Sequence, residues 1–364
     1  MKNDFLYYLG FSHFLGIGPI RFSLLKKNFG SAKNAYLAKE SELKDILGEK
    51  LTEKFISFRN AFDLEKKFDE IKKKDIKILT VDDDGYPSLL KNISDPPICL
   101  YIKGNFDFSS LDKLFSIAIV GTRKPTNYGI QIAKKFSFEL AKAGFIIISG
   151  LAYGIDTIAH QSALEAQGKT IAVLGCGVDI IYPSANKNLY EKIIEKNGAV
   201  ISEFPPGQTV LKGLFVSRNR IISGLSKGVI VVEGTADSGS LITGRYAGEQ
   251  GKEVFAPPSP ITSELSQAPN ILLKQGAKLI TSVEDIFEEF NLKITPKKQE
   301  EIEKNFSEIE KNIFQALKEK PLAVDDLVLK LNLSINEVLK NLSIMEIKNL
   351  VKKNNQGLYE INTF

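Results

Sequence analysis

IAIVGTRKPTNYG (117–129) is an apolar run that stops at glycine and restarts as a helix. The same progression returns in FIIISGLAYGIDTIAH (145–160), TIAVLGCGVDIIYP (170–183), RNRIISGLS (218–226) and VIVVEGTADSGSLITG (229–244), with hydroxyls or arginines near each glycine. A strand that ends this way leaves unpaired backbone N–H groups at the carboxyl edge of a parallel sheet. Several such turns side by side make a surface suited to phosphate.

Working outward, strands are predicted near 116–120, 145–149, 170–174, 199–202, 228–233 and 252–256. Helices near 128–143, 155–167, 186–197, 219–226 and 239–250 alternate with them. Near-continuous Val/Ile runs between helices imply an α/β fold whose parallel sheet is covered on both faces. A short strand at 278–280 and a helix at 282–290 close it. Upstream, 76–105 reads as strand, turn, short helix and strand. Asp82, Asp83 and Asp84 lie against Gly85 and Pro87, which favours a solvated turn over a metal site.

Residues 1–74 read as an all-helical domain. LGIGPIRFSLLKKNFGS (15–31) is similar to a helix-hairpin-helix element, with Arg21, Lys26 and Lys27 after its Gly-x-Gly turn. Two readings stand: a phosphate-contacting hairpin, or a packing module of the same shape. The core domain is expected over 75–290, followed by a polar linker over 291–304. Three helices and a hairpin around Asn-Gln-Gly then predict a winged helix over 305–364. Its third helix carries Asn336, Glu337, Lys340, Asn341, Glu346 and Lys348, a mixed-sign face unlike that of a duplex reader.

The net charge of +4 permits a nucleic-acid partner without requiring one. Residues 1–75 hold 15 Lys and Arg against 11 Asp and Glu, so the surplus sits in the N-terminal part. Two separated cysteines, Cys99 and Cys176, form neither a disulfide framework nor a metal pattern. Two histidines exclude a histidine-rich metal site. No secretory or membrane-spanning segment is evident, so a cytoplasmic protein with no membrane association is expected. Neither a metal nor a cofactor is called for.

The loop Gly121-Thr122-Arg123-Lys124 does not have dinucleotide-fingerprint spacing. Its cations and hydroxyls suit a string of separate phosphates better than one pyrophosphate. Tyr182 is placed to stack on an exposed base, the alternative being a core tyrosine. Arg218 and Arg220 are read at a loop-to-helix junction. There they must meet phosphate or a carboxylate such as Glu203 or Glu233, and at least one is assigned to phosphate. Ser238 caps the next helix, with Gly239, Ser240 and Thr243 behind it. Asp156 and His160, four residues apart on a helix, can pair. Ser149, His160 and Asp156 do not make a hydrolase triad, because the serine lacks a G-x-S-x-G elbow. No catalytic residues are assigned.

AIVGTRKPTNYG, SGLAYGIDTIAHQSALEAQGKTIAVLGCGVDIIYP, SEFPPG, RNRIISGLS and VIVVEGTADSGSLIT resemble the DNA-processing protein A (DprA/Smf) family. The likeness extends over about 75–280, and the flanking modules agree with the family's domain order. It implies an extended Rossmann-like domain that binds single-stranded DNA, dimerises and loads a RecA-type recombinase during natural transformation, without catalysis. It places DNA contacts at Gly121, Thr122, Arg123, Lys124, Tyr182, Arg218, Asn219, Arg220, Ser238, Gly239 and Ser240. The strand ends add Tyr128, Gly129, Ser149, Gly150, Gly175, Gly177, Lys187 and Thr243, with Asp156, His160 and Glu233 as support. The chain departs from the family pattern at Tyr153, Val216-Ser217, Pro258 and Ala268. A competing reading is a nucleotide enzyme or sensor similar to lysine-decarboxylase-like phosphoribohydrolases. VEGTADSGSLIT lacks their Pro-Gly-Gly.

Overall fold

The computed structural model describes residues 4–196, 198–292, 306–347, 350–354 and 357–361. Most of the expected linker, together with Lys348, Asn355 and Gln356, lies outside them. The chain divides into two compact units, Met1–Ile286 and Phe287–Phe364.

In the first unit nine strands form one sheet: β1 Lys77–Thr80, β2 Cys99–Gly104, β3 Ser116–Val120, β4 Ile146–Ser149, β5 Thr170–Val173, β6 Ala199–Ser202, β7 Gly228–Val231, β8 Glu253–Ala256 and β9 Lys278–Leu279. Their order is β1-β2-β6-β5-β4-β3-β7-β8-β9. From β6 through β9 every pairing is parallel. The parallel sheet is the one expected, and at one edge it is extended by β2, which runs antiparallel to both β6 and β1. The chain winds from β3 outward to β6, then crosses back to lay β7 on the other side of β3. That reversal makes β3 and β7 the switch point of the sheet, the place where open α/β sheets bind ligands at their strand ends.

Period-2 alternation buries both faces. Ile171 and Val173 of β5 enter one core with Ile148, Ile201 and Val231, while Ala172 joins Leu189, Ile193 and Val200 on the other side. In β2, Leu100 and Ile102 face the main core, whereas Cys99 and Tyr101 pack beneath the N-terminal helices.

Those helices are α1 Phe5–His13, α2 Pro19–Phe29, α3 Ala32–Leu37, α4 Glu40–Leu47, α5 Glu49–Ala61 and α6 Leu64–Lys73. Phe11, Phe22, Tyr36 and Phe55 interlock as edge-on and stacked rings within 5.1–5.4 Å. The 15–31 hairpin is tied inward. Lys26 pairs with Asp82, which also accepts from the Tyr8 hydroxyl. Arg21 donates to the Gly16 carbonyl oxygen at 3.2 Å. The expected turn is present, and within it the part-exposed Asp82 also tethers the hairpin to the sheet. Asp83 accepts from the Thr80 N–H at 2.6 Å.

The remaining helices of this unit are α7 Ser88–Lys91, α8 Asn127–Lys142, α9 Ile155–Glu165, α10 Lys187–Glu195, α11 Lys212–Gly224, α12 Gly239–Glu249 and α13 Gln267–Lys274, and α14 Val283–Glu289 runs across its boundary. The helix expected near 219–226 begins seven residues earlier, at Lys212.

The second unit is a winged helix. Helices α15 Glu308–Glu319, α16 Val324–Leu331 and α17 Ile335–Ile347 are followed by β10 Val351–Lys353 paired antiparallel with β11 Tyr359–Ile361. Ile313, Phe314, Leu327, Val338, Leu342 and Met345 form its core. A reciprocal cap between Ser307 and Glu310 starts α15, and Ser334 with Glu337 starts α17.

Candidate nucleic-acid interface

The loop after β3 is pinned from both sides. The Thr122 N–H donates to the Glu233 carbonyl oxygen at 2.8 Å, and the Ile155 N–H donates to the Thr122 carbonyl oxygen at 3.2 Å. The buried Glu233 carboxylate then accepts from the Thr126 N–H at 3.0 Å and from its hydroxyl at 2.5 Å. Thr126 in turn caps α8 through the Gly129 N–H. Glu233 thus supports the loop and not Arg218 or Arg220, which corrects the expected pairing. Arg123 and Lys124 are left exposed between these anchors, with no ion pair among the described residues.

Arg123 turns toward the β4–β5 side. There a cleft is lined by Arg123, Gly150, Ala152, Tyr153, Tyr182, Pro183 and Phe215. The Arg123 guanidinium lies over the Phe215 ring, 5.6 Å from its centroid, and Tyr182 approaches the same ring at 5.4 Å. A guanidinium on an aromatic face keeps its edge donors available for phosphate. Tyr182 is 38% exposed and is not a core residue. Lys187, at the start of α10, is exposed and lies 4.0 Å from Glu191.

Arg218 lies beneath this cleft at 4% exposure. Its guanidinium donates to the carbonyl oxygens of Gly150, at 2.7 Å, and Val173. Glycine at 150 leaves room for that guanidinium, which a Cβ there would force to shift. Burial pulls the Arg218 pKa down to about 10, against the opposing pull of Asp156 and with help from the Arg123 charge. Arg218 therefore contributes positive potential under the floor rather than a direct hydrogen bond.

Asp156 accepts from the Gly150 N–H at 3.1 Å and the Ala152 N–H at 3.4 Å, holding the turn that forms the floor. It does not pair with His160. The His160 Nδ1 meets the Thr170 hydroxyl at 2.7 Å, and burial pushes its pKa down to about 3. Ser149 donates to the Ile119 carbonyl oxygen at 2.7 Å. All three residues are bound into the scaffold, with Ser149 also bearing on the Asp156 carboxylate.

Arg220 is also turned inward, at 5% exposure. It grips Glu203 through both terminal nitrogens, at 2.8 and 2.7 Å, and reaches Asp95 through Nε at 2.8 Å. Burial opposes its charge, but Glu203 and Asp95 outweigh burial and raise its pKa. Both arginines sit mid-helix in α11 rather than at a loop junction, so helical phase directs them into the protein. The phosphate assignment made for one of them has no exposed guanidinium to carry it.

Asn219 is buried and donates to the Gly239 carbonyl oxygen at 3.1 Å, joining α11 to the start of α12. Ser238 caps α12 by accepting from the Leu241 N–H. Ser240 and Thr243 are buried, while Gly239 is exposed. Gly175 and Gly177 lie buried below the β5 end. The Tyr128 hydroxyl donates to the Pro258 carbonyl oxygen, beyond the switch point. The structure therefore gathers Arg123 and Tyr182 into one cleft, with Lys124 exposed beside Arg123, and leaves the α12 group as scaffold.

Sequence reading did not single out Phe215 or Lys212. Lys212 is exposed at the start of α11, and Phe215 lies one turn in. The signal was present as an aromatic three residues before Arg218. It becomes meaningful once α11 is known to start at Lys212. No described group of His, Cys, Asp and Glu side chains is arranged to hold a metal ion. No described helix is long and apolar enough to cross a membrane.

Residues 77–291 match the model of DNA recombination-mediator protein A, and residues 296–355 match the DprA winged helix domain. Protein Smf of Synechocystis sp. is 42% identical over 280 residues, covering 76% of this chain and 70% of that protein. DNA processing protein DprA of Bacillus subtilis is 46% identical over 214 residues, covering 59% and 71%. Among solved structures, DNA processing protein A from Streptococcus pneumoniae superposes with a TM-score of 0.67 at 37% identity, covering 79% of this chain and 98% of that one. DNA processing protein A from Helicobacter pylori, whose single-stranded DNA binding mode has been described, gives 0.53 at 32% identity, covering 59% and 96%.

Proposed function

The chain belongs to the DNA recombination-mediator protein A family, and on that premise we propose that it binds single-stranded DNA along the strand-end rim without cleaving it. The observation that carries this reading is the cleft itself. An exposed Arg123 stacks on Phe215 beside Tyr182, above the buried charge of Arg218. Cations beside aromatic faces suit a flexible chain of phosphates and unpaired bases. The Helicobacter pylori relative, described as a single-stranded DNA binder, supports the same substrate class.

Arg123 and Lys124 take phosphates first, and Lys187 and Lys212 extend the track. Tyr182 and Phe215 offer ring faces to bases. The absence of catalysis is part of the proposal: Ser149, Asp156 and His160 are each committed to scaffold contacts. The proposal also includes delivery of the bound strand to a RecA-type recombinase during natural transformation, homodimerisation and a cytoplasmic location. Family membership supports each of these readings. The winged helix is assigned to protein docking, since its α17 surface mixes Glu337 and Glu346 with Lys340.

Fluorescence anisotropy of the full chain with labelled oligodeoxythymidine over a salt series tests the reading. Three or four neutralised phosphates give a slope of log affinity against log salt of about −2 to −3. No binding in dilute buffer, or release of free base from nucleoside monophosphates, refutes it. Recombinase loading is tested separately by filament assembly on strands precoated with a single-stranded DNA-binding protein. Sedimentation velocity tests the dimer.

A further inference from the structure

The Tyr153 side chain projects from the rim without any described role in holding the fold. It is 47% exposed, lines the cleft with Tyr182 and Phe215, and makes no hydrogen bond or ring contact among the described residues. Tyr182 and Phe215, by contrast, are already in contact with each other, and Arg123 lies over Phe215.

The backbone beneath Tyr153 is fixed. On its N-terminal side, Asp156 accepts from the N–H groups of Gly150 and Ala152. On its C-terminal side, Gly154 takes a φ of 75°, and a Cβ there would collide with the Thr122 carbonyl oxygen. An L side chain at 154 would be strained as well as crowded. The turn is thereby locked against the same loop that carries Arg123, since Thr122 also accepts from the Ile155 N–H. An exposed ring on a rigid turn, one residue from a cleft floor, loses little entropy when it takes up a planar partner.

We propose that Tyr153 is one wall of a slot for a single unpaired nucleobase, opening beside Arg123 and facing the Tyr182–Phe215 pair. The phosphate next to that base falls to Arg123. Stacking on Tyr153 then adds a further base-dependent component to the one that Tyr182 and Phe215 supply. This inference rests on the rim being a single-strand surface and deepens that reading.

The test compares labelled oligodeoxythymidine with an abasic strand of the same length, using full-length wild type, Tyr153→Ala, Tyr153→Leu and Tyr153→Phe. Wild type is expected to prefer the thymidine strand, with about tenfold of that preference, the range of one base–aromatic stack, owed to Tyr153. Tyr153→Ala and Tyr153→Leu lose that tenfold share and keep the remainder, Tyr153→Phe keeps the whole preference, and all share the wild-type salt slope. Tyr153→Leu retains apolar bulk, so it separates loss of the π face from any loss of fold in the alanine variant. An unchanged preference in Tyr153→Leu overturns the slot, as does a wild type that binds thymidine and abasic strands alike. Wild type binding neither strand instead sinks the single-strand reading itself.

Discussion

The loop after β3 and helix α11 each carry two cations in a few residues, yet they handle them oppositely. Arg123 and Lys124 stand out from a loop anchored by Glu233 and Ile155, so the backbone is immobilised while the charges stay in solvent. Arg218 and Arg220 lie in the middle of a helix and point inward, one onto strand-end carbonyl oxygens and the other onto Glu203 and Asp95. A cation's position along the chain says little about whether it can meet a ligand. What decides is whether the fold supplies a partner before the ligand does.

The strongest way to break this comparison is to remove Arg220. If it is structural, Arg220→Ala leaves Glu203 buried without its partner and costs about 3–5 kcal/mol of stability. Chemical denaturation measures the loss, and the folded fraction keeps wild-type affinity for single strands. A stable variant with weak binding would instead place Arg220 with the loop cations. Next in size, Phe215→Ala removes both a stacking face and the support under Arg123. Its affinity for oligodeoxythymidine should fall by about 1–3 kcal/mol.

Arg123→Ala sharpens the other side. Loss of one phosphate contact lowers the magnitude of the single-strand salt slope by about 0.7, with similar weakening for every base composition. At the small end stands the N-terminal hairpin, whose Lys26 is bound to Asp82 and whose Arg21 is bound to Gly16. Lys26→Ala and Arg21→Ala should leave single-strand affinity unchanged. A loss comparable to that of Arg123→Ala would show that the hairpin reaches the strand after all.

Acid tests the buried polar residues together. Burial pushes the pKa of His13 to about 4 and of His160 to about 3, below the ordinary 6.5. In the unfolded chain both take up protons near pH 6.5, whereas in the fold they resist. Their contribution is therefore complete above pH 6.5 and is lost as pH falls through the folded values. Melting temperature should drop over that window, and His160→Gln should flatten the dependence.

Most of the fold was legible because it is written in local periodicity. Apolar runs of strand length, glycine stops and helix caps such as Thr126 and Ser238 depend on neighbours within a few residues. The antiparallel insertion of β2 was not legible, because its Cys99 and Tyr101 are covered by helices from the first 74 residues. Pattern shows that both faces are apolar but not which distant element covers each. In the candidate interface, Arg123 and Tyr182 were named from sequence and are brought into one cleft, while Phe215, which lines it with them, was not named for want of the true start of α11. The α12 group was overvalued. Ser240 and Thr243 look like ligand donors in sequence but are buried against backbone oxygens of Glu233 and Gly239.

By itself the amino-acid order determined a parallel α/β sheet whose strands end in glycine, a helical module before it and a winged helix after it. Tertiary structure alone decided which charges face the solvent. Glu203 comes from the end of β6 and Asp95 from a loop 125 residues before Arg220, and no local pattern links them. Compensating a buried charge requires groups brought together by folding, because the cost of desolvation is met only at hydrogen-bond range. The rim keeps its exposed cations because, among the described residues, no such carboxylate arrives at Arg123 or Lys124.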